Sequence, residues 1–170
     1  MALRTIVTIP DPVLRRKARK VTDFGPELQK LLDDMVDTMR DAPGVGLAAP
    51  QVGIPLRAIV VEFGDEEDEA VPPKLFVLLN PEITRTSQET VVAPEGCLSI
   101  PGYAGEVDRF DAVTLRGQNR HGQPMRIKAD GWLARIFQHE LDHLDGVLFT
   151  DRAERVWKIE DEPTLPIPLD

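Results

Sequence analysis

The sequence is poor in several residue types that often anchor a small fold. It has one cysteine, three histidines and 5% aromatic residues in 170 positions. A single cysteine cannot form a disulfide within the chain, so the fold must hold without an internal cross-link. Basic residues are also few, with 20 lysines and arginines against 29 acidic residues and a net charge of -9. This balance opposes general binding to DNA or RNA, which requires clustered basic side chains.

Long hydrophobic runs are absent as well. Residues 1–7 lack the apolar stretch of a signal peptide, and the apolar runs 58–61 and 75–79 are far too short to cross a bilayer. We therefore expect a cytoplasmic protein with no membrane segment. The length and a hydrophobic fraction of 42% suit one domain with an adequate core.

The hydrophobic pattern that is present predicts an α+β fold. Apolar residues from Leu28 to Met39 recur at helical spacing and predict an amphipathic helix over 26–41. A turn at His121 and Gly122 is predicted between two strands. The strand-like runs are 57–63, 74–80, 112–116 and 124–129.

Two of the three histidines lie four residues apart in the segment 138–143, which reads Gln-His-Glu-Leu-Asp-His. On an α-helix this spacing brings His139 and His143 to one face, where they can share a metal ion. Glu140 would then reach a water on that ion. The segment therefore predicts a hydrolytic metal site.

The flanks of this motif support a helix. Apolar residues recur at helical spacing over 132–144, Asp130 is a candidate N-cap, and Gly146 suits the position after the helix end. Two histidines on a partly apolar helix can also be ordinary core or surface residues. The short motif alone does not exclude that alternative.

A catalytic metal site usually has three protein ligands and leaves a further position to water or substrate. The single cysteine, Cys97, lies in the segment 94–102, whose glycines and prolines predict a loop or strand end. A lone cysteine is most often a small buried hydrophobe. Beside a histidine pair, however, a thiolate is the leading candidate for the third ligand, with a downstream carboxylate such as Glu154 as the alternative.

Three segments, 44–51 (Gly-Val-Gly-Leu-Ala-Ala-Pro-Gln), 95–99 (Glu-Gly-Cys-Leu-Ser) and 138–143, resemble in order and spacing the motifs of the peptide deformylase family. The similarity extends from about Ile9 to about Asp151 and so covers nearly the whole chain. It implies an enzyme that removes the formyl group from the N-terminal formylmethionine of new polypeptides.

The resemblance also implies an architecture. We expect a compact single domain of the α+β class, with mixed or antiparallel sheets around a central helix that carries the two histidines. The catalytic domain would occupy residues 1–151, and an acidic, proline-rich C-terminal tail would occupy residues 152–170.

By this resemblance, Cys97, His139 and His143 would hold one divalent metal ion. Glu140 would take a proton from the attacking water and return one to the departing amine. Imidazole and thiolate suit several metals. Family members typically use ferrous iron, so we expect Fe²⁺, with Zn²⁺, Ni²⁺ or Co²⁺ as alternatives.

The remaining site residues are implied by the same resemblance. The side-chain amide of Gln51 and the backbone N–H of Leu98 would stabilise the oxyanion that forms when the formyl carbon is attacked. The backbone of Gly46 would align the peptide, since a glycine permits close approach. Without the motif, Gln51 would be read as a glutamine that caps or solvates a loop.

The expected partner is an N-formylmethionyl peptide or nascent chain, with a transient ribosome contact and no specificity for nucleic acid. Well-known members often continue into a long basic helix linked to ribosome docking, which the acidic segment 152–170 does not match. Arg135, one turn before His139, occupies a position where many relatives have an apolar residue near the methionine pocket. We expect its stem to line a pocket while its charge reaches solvent.

Two other functions remain open at this point. A zinc protease also uses two histidines and a third ligand, which would here have to be a carboxylate such as Glu154, because no histidine follows His143. A metal-stabilised binding module without catalysis is the second alternative, and it would have no need of Glu140 or Gln51.

Overall fold

The structure, a computed structural model, describes residues 2–64 and 70–159. Within these ranges it contains three α-helices, two short 3₁₀-helices and eight strands. The α-helices are α1 (Pro26–Asp41), α2 (Gly131–Leu144) and α3 (Phe149–Arg152), and the 3₁₀-helices are Pro12–Arg15 and Ala49–Val52. The strands are β1 (Gly46–Ala48), β2 (Ala58–Phe63), β3 (Lys74–Thr86), β4 (Thr90–Cys97), β5 (Ile100–Phe110), β6 (Ala112–Gln118), β7 (Pro124–Asp130) and β8 (Arg155–Lys158).

The strands form two antiparallel sheets. The larger sheet has the order β1-β2-β3-β6-β7, and the smaller one has the order β4-β5-β8. Every strand pairing within them is antiparallel. The predicted α+β class is confirmed, and of the two sheet types that we expected the antiparallel one is present.

Helices α1 and α2 pack on opposite faces of the larger sheet, and strand β2 shows why. Ile59 and Val61 belong to the hydrophobic cluster that includes α2, whereas Ala58 and Val60 belong to the cluster that includes α1. Side chains alternate between faces along a strand, so a strand that is covered on both sides needs apolar residues at successive positions. The two histidines on α2 therefore lie inside the molecule.

Helix α1 has the predicted bounds, and its apolar stripe is buried. The four predicted strands are present as β2, β3, β6 and β7, with β3 longer than expected. The hairpin turn between β6 and β7 is also confirmed, and Gly122 adopts a positive φ of 81° there. Strands β4 and β5 were not predicted, because Pro94, Gly96 and Gly102 read as turn signals.

Helix α2 begins and ends close to the predicted residues. The predicted N-cap position of Asp130 is confirmed, although its side chain makes no capping hydrogen bond. Gly131 begins the helix with φ +58°. Gly146 lies just beyond Asp145 with φ +74°, the left-handed conformation that commonly ends a helix.

The chain after α2 continues into the smaller sheet. Strand β8 pairs with β5, with Trp157 opposite Ala104. The domain boundary after residue 151 stays a prediction, and the proline-rich part of the predicted tail lies outside the described residues. Over the described ranges, no helix combines the length and apolar character needed to span a membrane.

Candidate metal centre

Helix α2 and the end of strand β4 bring together the three predicted ligands. The thiol sulfur of Cys97 and one ring nitrogen each of His139 and His143 lie within 4.8 Å of one another, and all three residues are buried. Cys97 Sγ is 3.4 Å from His143 Nε2. Atoms that bind the same ion at about 2.0 to 2.3 Å lie at separations similar to these from one another. The three side chains therefore fit a single divalent metal ion.

Glu95 fixes the orientation of one of the imidazoles. It belongs to β4, two residues before Cys97, and its Oε1 lies 3.0 Å from His139 Nδ1. A carboxylate can only accept a hydrogen bond, so Nδ1 carries the proton and Nε2 is left as the metal-binding nitrogen. The ring of His139 also stacks on Phe149, with 6.3 Å between centroids.

Two arginines hold the carboxylate of Glu95, which has no exposure of its side chain. Arg109 on β5 donates from Nε to Oε2 at 2.8 Å and from Nη2 to Oε1 at 2.9 Å. Arg135 on α2 donates from Nη1 to Oε2 at 2.6 Å. A fully buried carboxylate needs such partners, because an isolated buried charge is very costly.

The structure contradicts the prediction that the charge of Arg135 reaches solvent. Arg135 is 4% exposed. Its guanidinium contacts Glu95 and also donates to the carbonyl oxygens of Val107, at 3.0 Å, and Val91, at 2.5 Å. Strands β4 and β5 cover this part of α2, so the side chain finds its partners inside the protein instead of in water.

The electrostatics of this cluster favour the ionised forms of Glu95 and Arg109. Burial by itself would raise the pKa of Glu95, but hydrogen bonds from Arg109 and His139 outweigh it and hold that pKa well below its usual range. Burial would lower the pKa of Arg109, but Glu95 and Asp142 raise it well above its usual value. Burial also lowers the pKa of Arg135, against the opposing effect of Glu95. Glu95 is therefore an anion facing His139.

Gln51 lies beside the cysteine with its amide held in one orientation. Its side chain is fully buried, and Oε1 accepts a hydrogen bond from the backbone N–H of Ala48 at 3.0 Å. Nε2 therefore points to Ser99 Oγ, at 3.2 Å, and to Cys97 Sγ, at 3.7 Å. The loop-solvating alternative is wrong, although the oxygen does cap the 3₁₀-helix that contains Gln51.

Gly46 and Glu140 face each other across the site. Glu140 is fully buried, and a Cβ added to Gly46 would lie only 2.5 Å from its Oε2 and 3.0 Å from its Cδ. A side chain at position 46 would thus displace the carboxylate. Gly46 is the first residue of the edge strand β1, and the half-buried Leu98 lies in the turn directly after Cys97.

Sequence reasoning missed the roles of Glu95 and Arg109. Glu95 lies inside one of the three motifs but was given no role there, and Arg109 lies outside all three motifs. A carboxylate two positions before a buried ligand on the same strand face is a signal that could have drawn attention to Glu95. Glu154, the alternative third ligand, is exposed and is not part of the ligand cluster found among residues 2–64 and 70–159.

Comparison with known proteins agrees with this geometry. The family model described as polypeptide deformylase matches residues 3–158. A peptide deformylase from Natranaerobius thermophilus is 50% identical over 161 residues, which cover 95% of this chain and 99% of that protein.

Solved structures of the same kind share the fold. The crystal structure of peptide deformylase from Thermotoga maritima is 41% identical with a TM-score of 0.84, covering 91% of this chain and 100% of that one. A Met-Ala-Ser-bound crystal structure of a class I type b peptide deformylase from Acinetobacter baumannii is 35% identical with a TM-score of 0.81, covering 89% and 98%. With a family model over most of its length, and with relatives that match it almost end to end, the chain belongs to the polypeptide deformylase family.

Proposed function

We propose that Cys97, His139 and His143 bind one divalent metal ion and that Glu140 acts on the water that attacks the substrate. The observation that carries this proposal is the convergence of one thiol from β4 and two imidazoles from α2. All three residues are buried, and their ligand atoms lie within 4.8 Å of one another. Family membership gives the reaction, since the chain is a metal-dependent hydrolase that removes the N-terminal formyl group from newly made polypeptides.

The reaction breaks the bond between the formyl carbon and the amide nitrogen and releases formate and a free amine. A divalent metal bound by these ligands would polarise water and lower its pKa toward neutrality. Glu140 would take a proton from that water and return one to the departing amine. Its complete burial supports this role, because a carboxylate shielded from bulk solvent can hold and deliver a proton at a fixed position.

The oxyanion that develops on the formyl oxygen would be stabilised by the Gln51 amide and the Leu98 backbone N–H. The contact between Ala48 and the Gln51 oxygen supports this role, since it leaves the Gln51 NH₂ group turned toward Cys97. Donors that are already oriented stabilise such a charge without reorganisation. The backbone of Gly46 would align the peptide on the edge strand β1, where main-chain groups can pair with an extended substrate.

We propose Fe²⁺ as the native metal, with Zn²⁺, Ni²⁺ or Co²⁺ as substitutes. One thiolate and two imidazoles can hold any of these ions, so the ligand set alone does not select among them. Metal analysis of protein purified without oxygen would test this. Stoichiometric iron is expected, and stoichiometric zinc with full activity would contradict it.

The proposed substrate is a formylmethionyl peptide or nascent chain. The bound Met-Ala-Ser of the Acinetobacter baumannii relative supports a site for a peptide that begins with methionine. Because formylated N-termini arise during translation, we propose action in the cytoplasm with a transient ribosome contact. Co-sedimentation of the protein with ribosomes that carry nascent chains would test the contact.

Three peptides distinguish the proposed function from proteolysis. The iron-loaded enzyme is expected to release formate from formyl-Met-Ala, to leave unformylated Met-Ala intact, and to leave the internal bonds of a longer blocked peptide uncut. Cleavage of the internal bond without formate release would identify a protease. Metal binding without either activity would identify a binding module.

A further inference from the structure

Arg135 is the second arginine that pairs with Glu95, beside Arg109. Neither metal binding by the three ligands nor the proposed proton transfer explains why this second arginine is present. We propose that Arg135 is a positioning residue that holds the carboxylate of Glu95 against His139 and so fixes the ring through which His139 binds the metal. This inference rests on the proposed metal site. It adds a role for a side chain that touches neither the substrate nor the metal.

The four donors on Glu95 divide evenly between its two oxygens. Oε1 accepts from His139 Nδ1 and from Arg109, whereas Oε2 accepts from Arg109 and from Arg135. Arg135 and His139 lie four residues apart on α2 and thus on the same helix face. The carboxylate is therefore held to α2 at two points, one on each oxygen.

Arg109 links Glu95 to α2 only indirectly, through Asp142. It belongs to β5, and while its Nε and Nη2 bind Glu95, its Nη1 donates to Asp142 at 2.6 Å. Asp142 is also bound by the half-exposed Arg152. Without Arg135, the carboxylate would keep its contacts to β5 and would lose one of its two contacts to the helix that carries the metal ligands.

Arg135 also ties the helix to the strand that carries Cys97. Its Nη2 donates to Val91 on β4 and its Nη1 donates to Val107 on β5. Cys97 ends β4, so one guanidinium connects the element of the thiol ligand to the element of the imidazole ligands. The planar, multiply donating guanidinium suits such a junction better than a single ammonium does.

The negative charge of the buried Glu95 carboxylate is a further reason for a second arginine at this place. Glu95 is paired with the nearly buried guanidiniums of Arg109 and Arg135, and Arg109 also pairs with Asp142, which the half-exposed Arg152 binds as well. Removing Arg135 would leave the buried Glu95 carboxylate with a guanidinium that it shares with Asp142, and a poorly compensated buried charge is costly. The remaining charged side chains would then change position. Because Glu95 accepts a hydrogen bond from His139, its movement would also shift the ring of that ligand.

The test measures Co²⁺ affinity, by competition with a chelator, and the visible absorption spectrum of bound Co²⁺. The variants are Arg135→Met, which removes the charge, and Arg135→Lys, which keeps it. Loss of a hydrogen-bond partner behind a ligand typically costs roughly 10- to 100-fold in metal affinity. We expect a loss of about that size for Arg135→Met with a changed spectrum, and partial recovery for Arg135→Lys, which keeps the charge but not the planar set of donors. Arg116→Met removes an exposed arginine that pairs with Glu82 and should change nothing.

A double-mutant cycle separates positioning from simple support of the fold. If Arg135 acts through the Glu95 carboxylate, Arg135→Met should have little further effect on Co²⁺ affinity in a Glu95→Gln background. A structural role through Val91 and Val107 would persist there and would appear equally in the urea-unfolding free energy. If Arg135→Met does not fold, Arg135→Gln takes its place in the same cycle.

The outcomes are distinct. Unchanged Co²⁺ affinity in the folded variant, or the same loss with and without the Glu95 carboxylate, would overturn the positioning role. Wild-type protein that fails to bind Co²⁺ would overturn the proposed metal site itself and this inference with it. A loss that disappears in the Glu95→Gln background would support both.

Discussion

At the scale of single residues, Glu140 is the side chain on which the proposed chemistry depends most. Glu140→Gln keeps the shape of the buried group but removes the proton acceptor. We expect a folded, metal-loaded protein whose deformylation is slower on the order of 10²-fold or more. Steady-state kinetics with metal analysis would measure this. Glu154→Gln, at an exposed position, is the matched control, and near wild-type turnover by Glu140→Gln would refute the role.

A substitution at Gly46 tests the role of the Glu140 carboxylate without changing Glu140 itself. A Cβ at this position would lie 2.5 Å from Glu140 Oε2, so Gly46→Ala should displace the carboxylate without touching a ligand. Because misplacement of a catalytic group by about 1 Å can cost on the order of 10²-fold, we expect a lower kcat with intact metal content. Gly64→Ala is a suitable control, since its Cβ would meet Pro73 at an ordinary 3.6 Å. Equal kinetics for the two variants would contradict the prediction.

Gln51 is expected to matter for turnover more than for binding. The oxyanion exists only along the reaction path, so Gln51→Ala should lower kcat and kcat/KM together by roughly 10²- to 10³-fold with little change in KM. Formyl-Met peptide kinetics would decide this. The variant should retain its metal, since the Gln51 amide is 3.7 Å from Cys97 Sγ and is not a ligand. A raised KM with normal kcat would instead make Gln51 a substrate-binding residue.

At the scale of elements, the two ends of α2 offer a matched pair of glycines. Gly131 and Gly146 both have positive φ, but a Cβ on Gly131 would meet nothing within 4 Å, whereas one on Gly146 would lie 2.5 Å from the Arg15 carbonyl oxygen. Gly131→Ala should therefore lower the free energy of unfolding by about 1 to 2 kcal/mol through backbone strain alone. Gly146→Ala should cost about 1 to 3 kcal/mol more, because backbone must move. Urea unfolding of both variants measures the difference, and equal losses would contradict the close packing at the helix end.

At the scale of the whole molecule, stability should decrease in acid. Hydrogen bonds from Arg40 lower the pKa of Glu62 below its ordinary 4.5. Burial acts in the opposite direction, but hydrogen bonds from basic side chains also lower the pKa values of Asp34, Glu95 and Asp151. A carboxyl whose pKa is lower in the folded state binds protons more readily when unfolded. Its contribution is therefore complete above the unfolded pKa and is lost as pH falls through the folded one.

The Arg40 and Glu62 pair allows this pH dependence to be measured away from the metal site. Arg40 is half-exposed, so the pair should contribute less than about 1 kcal/mol at neutral pH. The difference in unfolding free energy between wild type and Glu62→Gln should be constant above pH 5 and should shrink below pH 4.5. A difference that stays constant down to pH 3 would show that the Glu62 carboxyl is not linked to folding.

Much of this architecture follows from local sequence. The bounds of α1 and the four predicted strands come from apolar spacing, which depends on neighbours within a few residues. The same holds for His139 and His143, because four residues on a helix always return to the same face. The single cysteine beside a histidine pair made Cys97 the leading third ligand, and the motif resemblance added the family and the reaction. Local patterns and the motif resemblance were therefore enough to predict the fold class and the ligand set to be tested.

The surroundings of that ligand set depend instead on contacts between distant parts of the chain. Glu95 meets Arg135 and His139 across 40 and 44 positions of sequence, and no local pattern reports such a pairing. Strands β4 and β5 were hidden by their prolines and glycines, so the burial of Arg135 beneath them could not be predicted. A charged side chain such as that of arginine is usually exposed to water, so exposure is what a sequence pattern predicts. It is buried only where distant parts of the chain supply the opposite charge and the hydrogen-bond acceptors that offset its desolvation.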